Sequence, residues 1–281
     1  MTQRPPTALV TGGSSGIGLE TARGLAARGY AVLLVGRHPT RTPEAAADVA
    51  ASTGNERVTA LRADFGHLDE VVALARTVAD RGEPLDVLVH NAGLWHQNRR
   101  ESADGFEDTL AVNHLAPFVL THHLRSTLAA EARVVTVSSR LHRKVREIPF
   151  DDLQWARRSY RGLGVYGQSK LLNVLFANEL ARRLPEGQTS NSLHPGDVAT
   201  NVTRDSRWLS FGIRLAGMLW LKSAEQGAAT SLHCACSPQL RGVTGAYFRD
   251  CKRRAPHPLA EDRELARRAW TETERLVAAW L

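Results

Sequence analysis

At 281 residues, with 43% hydrophobic and 23% charged residues, the chain can form one large α/β domain or two smaller ones around a substantial core. Its 36 Lys+Arg against 29 Asp+Glu give a formal charge of +7, but the basic residues are mixed with acids and form no sustained stripe, which argues against a nucleic-acid partner. The three cysteines, Cys234, Cys236 and Cys251, offer neither a disulfide framework nor a zinc ligand set, and no stretch supplies the roughly 18 consecutive apolar residues of a membrane span.

The opening segment, "MTQRPPTALV", has no hydrophobic signal core, so a cytoplasmic protein is expected. Apolar runs at 7–11, 31–35, 57–61, 85–91 and 133–138 lack strict alternation and read as strands buried on both faces. The more polar "TSNSLH" at 189–194 reads as a sixth strand. Between them lie helical stretches at about 17–28, 43–52, 67–81, 104–129 and 165–184. A helix at 224–236, a strand at 245–249 and a C-terminal helix at about 260–281 complete the chain. This alternation predicts an α/β fold: a doubly wound parallel sheet of about seven strands, flanked by helices, in a single domain spanning 1–281.

The first strand–helix turn reads Thr11-Gly12-Gly13-Ser14-Ser15-Gly16-Ile17-Gly18. Glycines are needed where the chain turns sharply and where a pyrophosphate approaches a helix N-terminus, although a plain connector also uses them. After the second strand, Gly36 and Arg37 stand where an NAD-binding fold usually offers an acid to the ribose diol. A guanidinium there pairs with a 2′-phosphate, so NADP(H) is favoured over NAD(H), with a merely solvated arginine as the alternative. Tyr166 and Lys170 are four residues apart on one helix face. A cation so placed lowers a tyrosine pKa and makes it a proton donor, with two residues that merely share a helix face as the alternative.

These residues resemble the short-chain dehydrogenase/reductase family over nearly the whole chain. The glycine loop, "RADF", "HNAG", "LAVNHLAPF", "VVTVSSR", the Tyr-x-x-x-Lys pair and "LHPGDVAT" occur in the family's order. The resemblance is closest to the retinol-dehydrogenase-like branch, through "YGQSKLLNVLFANELARRL", "EQGAATSLHCA" and "GAYFRDCKRRAP". It implies a Rossmann-type sheet in the order 3-2-1-4-5-6-7. It also implies that Gly12, Ser14, Ser15, Gly16, Ile17 and Gly18 hold the pyrophosphate, and that Asp64 and Phe65 hold the adenine. Asn91, Ala92 and Gly93 line the cofactor, while Pro195, Gly196, Val198 and Thr200 hold the nicotinamide carboxamide. Tyr166 acts as acid–base group, Lys170 as its tuner and ribose ligand, and Ser139 (with Ser138 as alternative) as stabiliser of the substrate oxygen. Asn113 holds a proton-relay water.

The resemblance therefore implies a reversible carbonyl–alcohol interconversion by an NADP(H)-dependent enzyme. Trp95 and His142 are candidate substrate contacts, and the apolar segment at about 201–223 is a candidate lid, which suits a bulky hydrophobic or aromatic substrate. Self-packing and a membrane-surface contact are its alternatives. The Arg/Ala-rich composition suggests a high-GC bacterium and, by analogy, a polyketide-type ketoreductase; a retinol-type dehydrogenase or an inactive NADP(H) sensor are the other readings. The family implies a homodimer or homotetramer, although the retinol-dehydrogenase-like branch also includes monomers, and the residues themselves suggest no metal site.

Overall fold

The structure, a computed structural model, describes residues 4–197 and 222–281. Among them one sheet has the order β3-β2-β1-β4-β5-β6-β7-β8. Its strands are β1 (Thr7–Thr11), β2 (Ala31–Gly36), β3 (Val58–Arg62), β4 (Leu85–His90), β5 (Leu128–Val137), β6 (Thr189–His194), β7 (Tyr247–Arg249) and β8 (Lys252–Arg254). The first seven pair in parallel in the expected order, and the short β8 runs antiparallel on the edge.

Helices cover both faces, so both sets of alternating side chains are buried. Leu9, Leu33, Leu88 and Val134 face one apolar core, together with α3 (Leu68–Ala79), α5 (Ala116–Leu124), α6 (Gly162–Arg183) and α9 (Arg263–Leu276). Ala8, Val10, Val32, Leu34 and Val87 face the other, against α1 (Gly16–Ala26), α2 (Arg41–Thr53) and α7 (Ala224–Cys236). This two-sided burial is why the strands read as continuous apolar runs. The polar β6 is also wholly buried: Asn191 donates to the Val243 carbonyl at 2.7 Å and accepts from the Ala246 N–H at 2.9 Å.

The sequence expectation departs from the structure in three places. The long helix expected over 104–129 is segmented into α4 (Asp108–Leu110), a π-helical turn over Ala111–Leu115, and α5. The Glu107 carboxylate starts it by accepting from the Thr109 and Leu110 N–H groups, and β5 begins at Leu128. The C-terminal helix is interrupted at Asp262, which separates α8 (Pro258–Glu261) from α9 and caps the latter through its carboxylate. The eighth strand arises because Asp250 and Cys251, at φ 53° and 56°, fold the chain back in a two-residue turn. The expected lid lies outside the described residues apart from Lys222 and Ser223.

Candidate active site

The carboxyl ends of β1, β2, β4, β5 and β6 open into a cleft of about 680 Å³. In a parallel sheet of this order that edge is where ligands bind. At one end, Gly12 and Gly16 take φ of +64° and +56° in the turn from β1 into α1. A Cβ on Gly18 would collide with the Gly12 carbonyl and the Asn91 amide. Asn91 holds this approach by donating to the Thr11 and Gly12 carbonyls at 2.9 and 3.3 Å. Helix α1 has no acidic residue in its first turn and no side-chain cap, so its N-terminal N–H groups remain available to an anion. Ser14, Ser15 and Ile17 complete this part of the lining. The cradle fits a dinucleotide pyrophosphate.

Past the end of β2, Arg37 is exposed and makes no ion pair among the described residues. Arg41, which sequence reasoning did not single out, lines the same rim. Asp64 and Phe65 form the neighbouring wall; one Asp64 oxygen accepts from the Gly66 N–H at 3.0 Å. Ala92 and Gly93 lie in the floor, and Pro195 and Gly196 at the end of β6 close the far side. Val198 and Thr200 lie outside the described residues.

The other end gathers the four expected catalytic residues. Lys170 and Tyr166 share a face of α6, with the Lys170 Nζ 5.6 Å from the tyrosine ring centre. The lysine donates to the Val137 carbonyl at 3.0 Å. Ser138 and Ser139 divide clearly. Ser138 is buried and donates to the Lys170 carbonyl at 2.7 Å, whereas Ser139 lines the cleft together with Tyr166. Fully buried Asn113 accepts from the Leu94 N–H at 2.8 Å and donates to the Leu94 carbonyl and Ser169 Oγ at 2.9 and 3.0 Å. Its side chain thus pins the loop after β4. Because Pro117 has no N–H, the Asn113 carbonyl lacks an i+4 helical donor.

Burial pushes Tyr166 up to about 12, opposed by the nearby Ser139 hydroxyl, and pushes Lys170 down to about 8. The spacing predicts that the lysine lowers the tyrosine; burial is the largest influence on Tyr166, and the Lys170 ammonium donates to the Val137 carbonyl.

His142 is not brought to the cleft. It is fully buried; its Nε2 accepts from the His257 N–H at 3.1 Å, so the Nδ1 donates to the Ser139 carbonyl at 2.5 Å. Its ring meets Tyr247 edge-on, and it braces the loop that carries Ser139. Trp95 does line the cleft, with Leu141 and the exposed Leu163. Thr11, whose hydroxyl accepts from the Asn91 and Ala92 N–H groups at 3.0 Å, carries no signal in the sequence beyond its place before the glycines.

A family model described as short chain dehydrogenase matches residues 6–149. Human retinol dehydrogenase 13 is 40% identical over 279 residues, covering 96% of this chain and 84% of that protein. The human WW domain-containing oxidoreductase is 38% identical over 278 residues, covering 96% and 67%. Among solved structures, an uncharacterized protein from Mycobacterium paratuberculosis superposes with a TM-score of 0.78 at 30% identity, covering 98% of this chain and 95% of that one. A short chain dehydrogenase from Burkholderia cenocepacia in complex with NADP superposes with a TM-score of 0.69 at 28% identity, covering 86% and 95%. Matched by the family model over half its length and by such relatives over nearly all of it, the chain belongs to the short-chain dehydrogenase/reductase family of oxidoreductases.

Proposed function

We propose that the chain, acting as a single domain, is an NADP(H)-dependent oxidoreductase that interconverts a carbonyl and an alcohol on a bulky hydrophobic or aromatic small molecule. The observation that carries this reading is the convergence of Tyr166, Ser139, Lys170 and Asn113 at one end of a cleft whose other end is a glycine cradle. Arg37 and Arg41, with no acid at the end of β2, support a 2′-phosphate. The Burkholderia relative was solved with NADP. Bound nicotinamide supplies or accepts the hydride.

The chain's own residues handle the oxygen and its proton. Tyr166 carries its proton at neutral pH and donates it to the oxygen gaining negative charge. Ser139 hydrogen-bonds the same oxygen as charge grows there. Lys170, largely an ammonium at pH 7, adds positive charge behind the tyrosine. The Asn113 carbonyl, without an i+4 donor, is an acceptor for a water linking Lys170 to solvent. Trp95, Leu141 and Leu163 form an apolar mouth suited to an aryl or polyene body. The test is NADPH oxidation against aromatic polyketide-type ketones and retinal. Wild-type turnover is expected, with a loss of about 10²-fold or more in Tyr166→Phe and little change in NADPH affinity. NADPH binding without turnover on any carbonyl would make the protein a nucleotide sensor instead.

A further inference from the structure

Beyond the catalytic end, Arg140 and His194 also line a second cleft, of about 390 Å³, shared with Arg143, Tyr247, Arg249, Asp250, Arg254 and Ala255. Its far wall is the β7–β8 hairpin. The antiparallel register sets Tyr247 opposite Arg254 and Arg249 opposite Lys252, on one face, while Phe248 between them enters the core. Its near wall is the 3-10 turn Arg140–Lys144 that follows Ser139.

The charges here are unevenly matched. Both acids are engaged: Asp197 with Arg140 at 2.9 Å, and Asp250 with Lys222 at 2.5 Å and Arg249 at 3.3 Å. Arg143 is held in place by donating to the Ala255 and Pro256 carbonyls at 2.9 and 3.2 Å, with no carboxylate partner among the described residues. The Arg254 side chain has no ion pair or hydrogen bond among them either. A second observation points to a ligand. His194 is 3% exposed, and neither ring nitrogen has a hydrogen-bond partner among the described residues; the nearest carboxylate oxygen, on Asp197, is 3.9 Å away. Buried polar groups are almost always satisfied, so an orphaned imidazole beside two uncompensated guanidiniums calls for an acceptor.

We propose that this second cleft is an oxyanion subsite, holding a carboxylate or phosphate monoester carried by the substrate at a distance from its reacting carbonyl. The inference rests on the dehydrogenase reading and deepens it: the substrate has an apolar body between Trp95 and Leu163 and an anionic arm reaching past Arg140. Arg143 and Arg254 supply charge-assisted hydrogen bonds, and burial keeps His194 neutral, so that one ring N–H is available to donate.

The test uses three matched aryl ketones, one bearing a carboxylate, one a phosphate monoester and one the methyl ester of the first, with the full chain and NADPH. At least one anionic ketone is expected to exceed the ester in kcat/KM by about tenfold, through KM, and the better arm names the source of the oxyanion. In an Arg143→Gln/Arg254→Gln variant that advantage should fall to about one, and Arg254→Lys should retain part of it. A wild-type ratio near one, or a ratio unchanged in the variant, overturns the subsite while turnover of the ester leaves the dehydrogenase standing. If no ketone turns over, the dehydrogenase reading fails separately. Calorimetric binding of benzoate and phenyl phosphate then decides the subsite: about tenfold weaker binding in the variant supports it, and equal binding overturns it.

Discussion

Lys170 shows how a site can run against the stability of its own fold. The ammonium is 3% exposed, and it donates to the Val137 carbonyl. Burial lowers its pKa from 10.5 to about 8, so the neutral amine is the form the fold accepts. Its share of stability is complete above pH 10.5, where both folded and unfolded chains carry a neutral amine. It is lost as the pH falls toward 8, and the loss persists below. Lys170→Met is therefore expected to raise the unfolding free energy at pH 7, by up to about 3 kcal/mol, while abolishing turnover. The gain should vanish as the pH approaches 10.5. Urea midpoints of the two proteins at pH 7 and pH 10 check the sign.

At the scale of elements, two short irregularities position the chemistry. The π-helical turn Ala111–Leu115 brings Asn113 onto the Leu94 backbone, where an unbroken helix from 104 would have carried it past. The β7–β8 hairpin needs positive φ at both central residues, yet has Asp250 and Cys251 there rather than a glycine. Asp250 is retained by its ion pairs with Lys222 and Arg249. Among the described residues the Cys251 thiol makes one hydrogen bond, a 3.9 Å contact to Thr230, while its left-handed backbone conformation carries a cost. Cys251→Gly should keep the hairpin and stabilise the protein by about 1 kcal/mol, read as a rise in thermal midpoint with unchanged NADPH-dependent activity. A lower midpoint would mean that the Cys251 side chain contributes more than its backbone costs.

Across the whole molecule, the fold buries histidines, four of them almost completely. His90 is pushed down to about 3, and His114, His142 and His194 to about 4, in each case chiefly by burial. These folded-state values lie below the ordinary 6.5, so their stabilising share is complete above that pH and is lost as the pH falls toward 4 and 3. Each contributes a slope of up to about 1.4 kcal/mol per pH unit within its window. Against a total stability on the order of 10 kcal/mol, cooperative unfolding is expected by about pH 4.5. Circular dichroism over an acid titration measures it. His114→Gln, which removes one titrating group between Asn173 and Thr273, should make the transition shallower.

The α/β alternation and the meeting of Tyr166 with Lys170 are legible in the sequence because both depend on local spacing, of apolar runs and of an i, i+4 pair on α6, whereas the strand order follows from the family resemblance. The choice between Ser138 and Ser139 is not, because it depends on which hydroxyl meets the α6 backbone across the sheet edge. Nor is the place of His142, which His257 and Tyr247, over a hundred residues away, lock beneath the loop. Local spacing does not set the pKa values of this pair, for the same reason. It brings Lys170 beside Tyr166, but desolvation by atoms from distant segments sets their pKa values, and only the packed structure brings those atoms in.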